Sequence, residues 1–172
     1  MTEDAEWPGQ IIRRWWGENL RPDDFESGAV RGFRARLRRA DQPLDVLADA
    51  QVVALYEALG KPPDPLTLAA LVSVLAHVKK HDRQRIARAF GPADDPHLST
   101  LRFQRLIRSP DRAALAVALR RALPLIDHAC DVAALGADFL YWGEAVRIRW
   151  CFDYFGKAAP AEPTGTSTGE PE

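Results

Sequence analysis

Cysteine and methionine are scarce in this sequence, with Cys130, Cys151 and a single methionine, Met1, in 172 residues. Two cysteines make neither a disulfide framework nor a four-ligand zinc site, and both lie among apolar residues of helical pattern, so they read as core thiols. A membrane-spanning run is missing too: the longest weakly charged stretch, Pro62 to Val78, still holds three prolines, Asp64 and His77. The acidic start MTEDAEW lacks the basic leader of a signal peptide, which predicts a cytoplasmic protein with no membrane partner. No window alternates apolar and polar residues with period two, which argues against strands. Glycine-rich phosphate loops, the G-x-S-x-G elbow and H-E-x-x-H are absent, and no nucleophile stands beside a base. The sequence therefore predicts neither catalysis nor a cofactor.

What the sequence does carry is arginine in blocks. The net charge of −1 hides a partition: residues 1–30 sum to −4, 31–40 to +5, 41–76 to −4, 77–108 to +5 and the remainder to −3. Asymmetry of this kind suits a polyanion-facing surface on an otherwise acidic body, and equally suits basic and acidic segments that pair with each other. The first block, Arg31 to Arg39 (RGFRARLRR), holds five arginines in nine residues without an acidic interruption. At about 100° per residue, Val30, Phe33 and Leu37 share one side of a helix, flanked by Arg31, Arg34 and Arg38, with Arg36 and Arg39 covering the rest.

Taken in order, Ile11, Ile12, Trp15 and Trp16 after Pro8 give a short helix with an aromatic payload. Asp23 or Ser27 then caps the arginine helix, which ends at Ala40–Pro43. Leu44, Leu47, Val52, Leu55, Tyr56 and Leu59 repeat at helical spacing up to Gly60, and KPPDP follows as a break. Leu66 to Val78 reads as a helix buried nearly all round. Lys79, Lys80, Arg83, Arg85 and Arg88 come next, before Gly91–Pro92. Leu98 to Arg108 carries Arg102, Arg105 and Arg108 at three-residue spacing beside Leu98, Leu101 and Leu106. Asp111 restarts the chain as a helix to Leu123, with Arg120 and Arg121 near its C-terminal end, where cations suit the dipole. Val132 to Phe155 has apolar residues at steps of three and four over six turns and reads as one long amphipathic helix, N-capped by Asp131, with Gly136 and Gly143 allowing close packing. The fold class is all-α, with about seven or eight helices. Two small bundles are expected, 1–92 and 93–156, with a disordered tail over 157–172 rich in Ala, Pro, Gly, Ser, Thr and Glu.

One chemical constellation stands out: His77, His81 and Asp82 spell H-x-x-x-H-D, and residues four apart on a helix can share a metal. Phosphohydrolases of the HD type need further histidines and an aspartate, and here only His97 and His128 remain, with Lys79 and Lys80 repelling a cation. A second alternative is a helix-turn-helix regulator, because Arg102 to Arg121 form two helices joined by a short turn.

The order of segments resembles the CasB family, the small subunit of the type I-E CRISPR surveillance complex, Cascade. The resemblance rests on the early tryptophan helix, ARLRRA (Ala35 to Ala40), RFQRLIR (Arg102 to Arg108), LRRAL (Leu119 to Leu123) and the ending DVAALGADFLYWGEAVRIRWCFDYF, over about positions 8 to 156. It implies an all-helical fold in two bundles, no catalysis, and two copies along the complex, the partners being the crRNA, the target and non-target DNA strands, the other Cascade subunits and a second copy of the chain. By motif position it implies nucleic-acid contacts at Arg38, Arg39, Arg102, Arg108, Arg120, Arg121 and Arg147. One departure is Glu144, at a place where some relatives are basic. Charge alone adds Lys79, Lys80 and Arg105, with Arg34 as a neighbour of the pair Arg38 and Arg39, while Arg31 and Arg36 balance adjacent acidic segments. Arginines spread over several helices suit phosphate backbone rather than base edges, with weak, salt-sensitive affinity for the isolated chain.

Overall fold

The computed structural model describes residues 6–23, 25–60, 64–92 and 94–160. Among them run α1 (Pro8–Asn19), α2 (Gly28–Arg39), α3 (Pro43–Leu47), α4 (Ala50–Ala58), α5 (Pro65–Leu75), β1 (Lys80–His81), α6 (Ile86–Phe90), α7 (Thr100–Ile107), α8 (Arg112–Ala122), a 3-10 turn (Leu123–Ile126), β2 (Ala129–Cys130), α9 (Val132–Leu140) and α10 (Glu144–Tyr154). Ten helices among the described residues exceed the expected seven or eight because two of the longer apolar patterns are each broken in two. Residues 157–160 follow without regular structure, and the remaining tail, 161–172, lies outside the described residues. No helix is long and apolar enough to cross a membrane among the described residues.

Five of the described helices, α2, α5, α7, α8 and α9, start where short polar side chains satisfy free backbone N–H groups. Ser27 Oγ accepts from Val30 N–H at 3.2 Å, Asp111 from Ala114 at 2.8 Å and Asp131 from Ala134 at 3.0 Å. Asp64 and Ser99 do the same for α5 and α7. Each such cap contributes about 1 kcal/mol. Helix α5 lies at the centre: Leu68, Leu71, Val72, Val74 and Leu75 are fully buried, and the helix packs against α2, α3, α4, α8 and α9. Burying a side chain of that size contributes roughly 1.5–3 kcal/mol. The largest helix pairing is α1 on α9, and glycine makes it close. A Cβ on Gly136 would stand 2.7 Å from Ile12 Cγ2, and one on Gly9 would stand 2.5 Å from the Ala133 carbonyl. Buried residues on both sides of position 92 belong to one cluster. Cys130 is fully buried, and burial pushes its thiol up to about 12, while Cys151 is half-buried, so both thiols pack rather than react.

Three expected helices differ. The single helix over Val132 to Phe155 breaks at Tyr141–Gly143 into α9 and α10. In an unbroken helix Asp138 and Trp150 would be about 18 Å apart; the break lets Trp150 Nε1 donate to Asp138 Oδ2 at 2.7 Å and lets Arg149 reach the same carboxylate. Asp138 is buried, and an unpaired carboxylate there would be costly, so this contact outweighs the local apolar periodicity. Similarly, the run from Leu44 to Leu59 splits into α3 and α4 at Ala48–Asp49. The stretch after α5 is not helical either. Lys80 and His81 form β1, pairing in parallel with Ala129 and Cys130, and only Ile86–Phe90 of the second basic block is helix.

Candidate nucleic-acid interface

The arginines divide into those that hold the fold together and those that do not. Arg34 belongs to the first group: its guanidinium donates to both carboxylate oxygens of Glu26, at 2.6 and 2.9 Å, and to the Leu20 carbonyl at 3.2 Å. Both side chains are largely covered, with 13% and 10% exposed, so Arg34 is engaged within the fold. The Arg34 hydrogen bond, seconded by Arg31, holds the Glu26 carboxyl down at about 2. Arg31 pairs with Glu26 and Arg36 with Asp49, matching their expected balancing role. Arg85 and Arg88 stand 3.8 and 3.7 Å from the buried Asp153, and Arg149 holds Asp138.

The other candidates have no ion-pair partner among the described residues. Arg38 at the end of α2 and Arg120 on α8, far apart in sequence, line one open cleft of about 770 Å³ between the α2–α3 connection and the α5 and α8 helices. Their charges also act on His77. Burial, followed by the Arg38 and Arg120 charges, lowers its pKa to about 4, so the ring is neutral at pH 7. Three carboxylates line the cleft as well: Asp64 and Asp111, which cap α5 and α8, and the exposed Asp41, none of them in an ion pair with Arg38 or Arg120 among the described residues. Arg39, Arg121, Arg102, Arg105 and Arg108 are exposed, the last three along α7 and its C-cap. The α7 helix is fixed beneath them by Phe103 stacked on Tyr154 and by the Tyr154 hydroxyl, which donates to the Leu98 carbonyl at 2.6 Å.

Arg147 is half-buried, with its guanidinium 5.7 Å from the centre of the Trp142 ring, so much of it is engaged in packing. Close to it lies Arg112, which the sequence did not single out. It donates to the Phe139 and Leu140 carbonyls at 2.9 and 3.2 Å, closing the C-terminal end of α9, and lines the same cleft as Arg38 and Arg120. Burial and the neighbouring Arg147 lower its pKa. No sequence signal separates Arg112 from an ordinary first-turn arginine, because its partners come from a helix more than twenty residues later. Lys79 and Lys80 are exposed, in a smaller cleft against α1.

The alternative chemistries find little support in this geometry. His77 lies beyond the end of α5, and His81 is in β1, so they share no helical face. His81 Nδ1 accepts from Val132 N–H at 3.2 Å, which occupies the lone pair a metal would need there. Among the described residues, no group of three His, Cys, Asp or Glu side chains converges on a metal position. For a helix-turn-helix reader, the N-terminal turn of the second helix has to reach base edges. Here that turn is Arg112, tied to α9.

Comparison with known proteins adds a family. A chain in the crystal structure of E. coli Cascade bound to a PAM-containing dsDNA target has a similar fold, with a TM-score of 0.57 at 22% identity, over 84% of this chain and 91% of that one. No curated protein sequence matches this chain. The family model described as CRISPR-associated protein Cse2 matches residues 33–155, from the middle of α2 to the end of α10. Since that match takes in well over half of the sequence, the chain belongs to the CRISPR-associated Cse2 family.

Proposed function

We propose that this chain is a non-catalytic small subunit of a CRISPR surveillance complex of the type I-E Cascade kind, working in the cytoplasm in antiviral defence. It binds nucleic-acid backbone, stabilises the R-loop formed by crRNA and target, supports the displaced strand, and packs against other subunits and a second copy of itself. The observation that carries the reading is the sorting of the arginines. Arg31, Arg34, Arg36 and Arg149 are neutralised by carboxylates, whereas Arg38 and Arg120 face one cleft without a carboxylate partner among the described residues. Arginines left without an ion-pair partner are available to a polyanion. Arg39, Arg102, Arg105, Arg108 and Arg121 extend the surface on α2, α7 and α8, and Lys79 and Lys80 continue it. Arg147 contributes mainly through packing. Contacts of this kind go to phosphate and carry no sequence preference, which suits a complex in which base pairing reads the target.

Changing Arg38, Arg39, Arg108 and Arg121 together to glutamate tests this. The variant is expected to keep the circular dichroism and assembly of the parent while the complex loses target DNA faster, more so as salt rises. Unchanged retention throughout a salt series contradicts the proposal. A strong preference of the isolated chain for one duplex sequence would favour a regulator instead.

A further inference from the structure

The cleft that holds Arg38 and Arg120 is larger and less basic than phosphate binding requires. Its volume of about 770 Å³ falls in the range of about 300–1,000 Å³ that takes a whole small ligand, of which a phosphate group would fill a corner. Its charges are also separated along α5 and α8. Arg38 and Arg120 both exert their charge on His77, just past the C-terminal end of α5. At the opposite ends of these helices, Asp64 exerts its charge on Arg112 in the first turn of α8, beside Asp111. Arg112 and Arg120 are about 12 Å apart along α8 at 1.5 Å per residue. Between the two ends the walls are small and apolar: Ala69 and Ala70 of α5, Ala116 and Val117 of α8, and Val46 of α3. A run of phosphates laid along this cleft would be repelled at the acidic end. The lining instead matches a group that is anionic at one end and flat, largely apolar and edged with N–H donors at the other. A nucleotide has that form, and the amino groups of adenine, cytosine and guanine are donors to acceptors such as the exposed Asp41.

We propose that this cleft is a nucleotide subsite, which holds one unpaired nucleotide of the displaced strand with its phosphate on Arg38 and Arg120 and its base in the apolar waist between α5 and α8. In an R-loop the guide and target bases are paired with each other, so the displaced strand is the one with free bases. The inference rests on the proposed function, which supplies the strand and the phosphate contact, and adds to it a contact with a base. Ala70 and Val117 then become binding residues, although neither carries a charge that a search for basic blocks would find. A protein segment with an acidic side chain at one end is the competing occupant. It is disfavoured because a phosphate on Arg38 and Arg120 brings its own covalently attached base to the waist without a new partner.

The test uses the complex reconstituted with the full chain and its guide RNA. Two DNA targets are compared, each opened beforehand by a displaced strand that does not complement the target strand and that carries either bases or abasic sites in the open stretch. The parent is expected to bind the base-bearing target at least roughly fivefold more tightly, toward the lower end of what one base contact supplies, because no aromatic ring lines the cleft. Ala70→Phe and Val117→Phe, each at a half-buried position in the cleft wall, fill the waist. Each is expected to lose roughly fivefold on the base-bearing target and nothing on the abasic one, with the parent's slope of log affinity against log salt, since no phosphate contact is removed. Circular dichroism checks that each variant folds. Arg38→Glu/Arg120→Glu, by contrast, makes the slope shallower on both targets. If the filled variants match the parent on the base-bearing target while the arginine variant is impaired, the subsite is refuted and the proposed function stands. If the arginine variant keeps the parent's affinity and slope, the proposed function falls and the subsite with it. Equal affinity of the parent for the two targets refutes the subsite without any variant. Losses by the filled variants that are the same on both targets, or that fall on subunit assembly, would show an occupant other than a base and overturn the proposal.

Discussion

Replacing Gly136 by alanine puts a methyl group where α1 meets α9. Two effects oppose each other there. Alanine is the better helix former by about 1 kcal/mol, which on its own raises stability. The new Cβ, however, would stand 2.7 Å from Ile12 Cγ2, 2.8 Å from Cδ1 and 3.1 Å from Cβ. Ile12 is fully buried and branched at Cβ, so it has no free rotamer into which to retreat, and α1 must move away from α9. Overpacking of this sort costs about 1–3 kcal/mol, so the clash exceeds the propensity gain and leaves a net loss of up to about 2 kcal/mol. For a chain of this length that lowers Tm by up to roughly 8 °C. Thermal unfolding followed by far-UV circular dichroism reads this directly. Ile12→Ala removes the two nearest carbons, so the double variant with Gly136→Ala should unfold at a higher temperature than the sum of the single losses allows. A Gly136→Ala protein as stable as the parent, or more so, would refute the close-packing argument.

Further outcomes follow from the same structure. Arg34→Ala should lower Tm while leaving nucleic-acid binding by the folded protein unchanged, whereas Arg38→Ala should do the reverse; thermal melts and salt-dependent binding of the two variants separate the roles. Tyr154→Phe removes the donor to the buried Leu98 carbonyl and should cost about 1–2 kcal/mol, or roughly 2–8 °C in Tm, with α7 first to lose amide-exchange protection. His77 has its pKa lowered to about 4 by burial and then by Arg38 and Arg120, so the unfolded chain binds its proton first as pH falls. Stability attributable to His77 is therefore complete above the ordinary histidine pKa of about 6.5 and is lost between there and about 4. Urea unfolding across that range should show a smaller decline for His77→Gln than for the parent.

The helical class and many helix starts were legible because they depend on local chemistry. Ser27, Asp111 and Asp131 stand before apolar periodic runs, and each caps its helix as the spacing predicts. Gly60, with φ of +70°, ends the region where the apolar repeat stops. The break at Tyr141–Gly143 was not legible, since the residues on either side keep steps of three and four; a contact between Asp138 and the Arg149–Trp150 pair decides it. His77 and His81 read as helix neighbours for a similar reason, because the pairing of β1 with β2, nearly fifty residues later, leaves no local trace. At the candidate site, Arg38 and Arg120 were legible as charges but their meeting across a cleft was not. The pairing of Arg34 was not legible, because its partner, Glu26, precedes the helix and reaches it only after the chain turns at Ser27. Charge pattern thus identified the blocks, while tertiary pairing determined which members are free.

The central claim is that Arg38 and Arg120 act together on nucleic-acid phosphates, and the most direct test is the salt dependence of target binding by the assembled complex carrying Arg38→Glu/Arg120→Glu. With two fewer phosphates neutralised, the slope of log affinity against log salt should become shallower by about 1.4 to 1.8, at about 0.7 per single-strand and 0.9 per duplex phosphate, and affinity should fall at every salt concentration. A folded, assembled variant with the parent's slope and the parent's affinity would contradict the account.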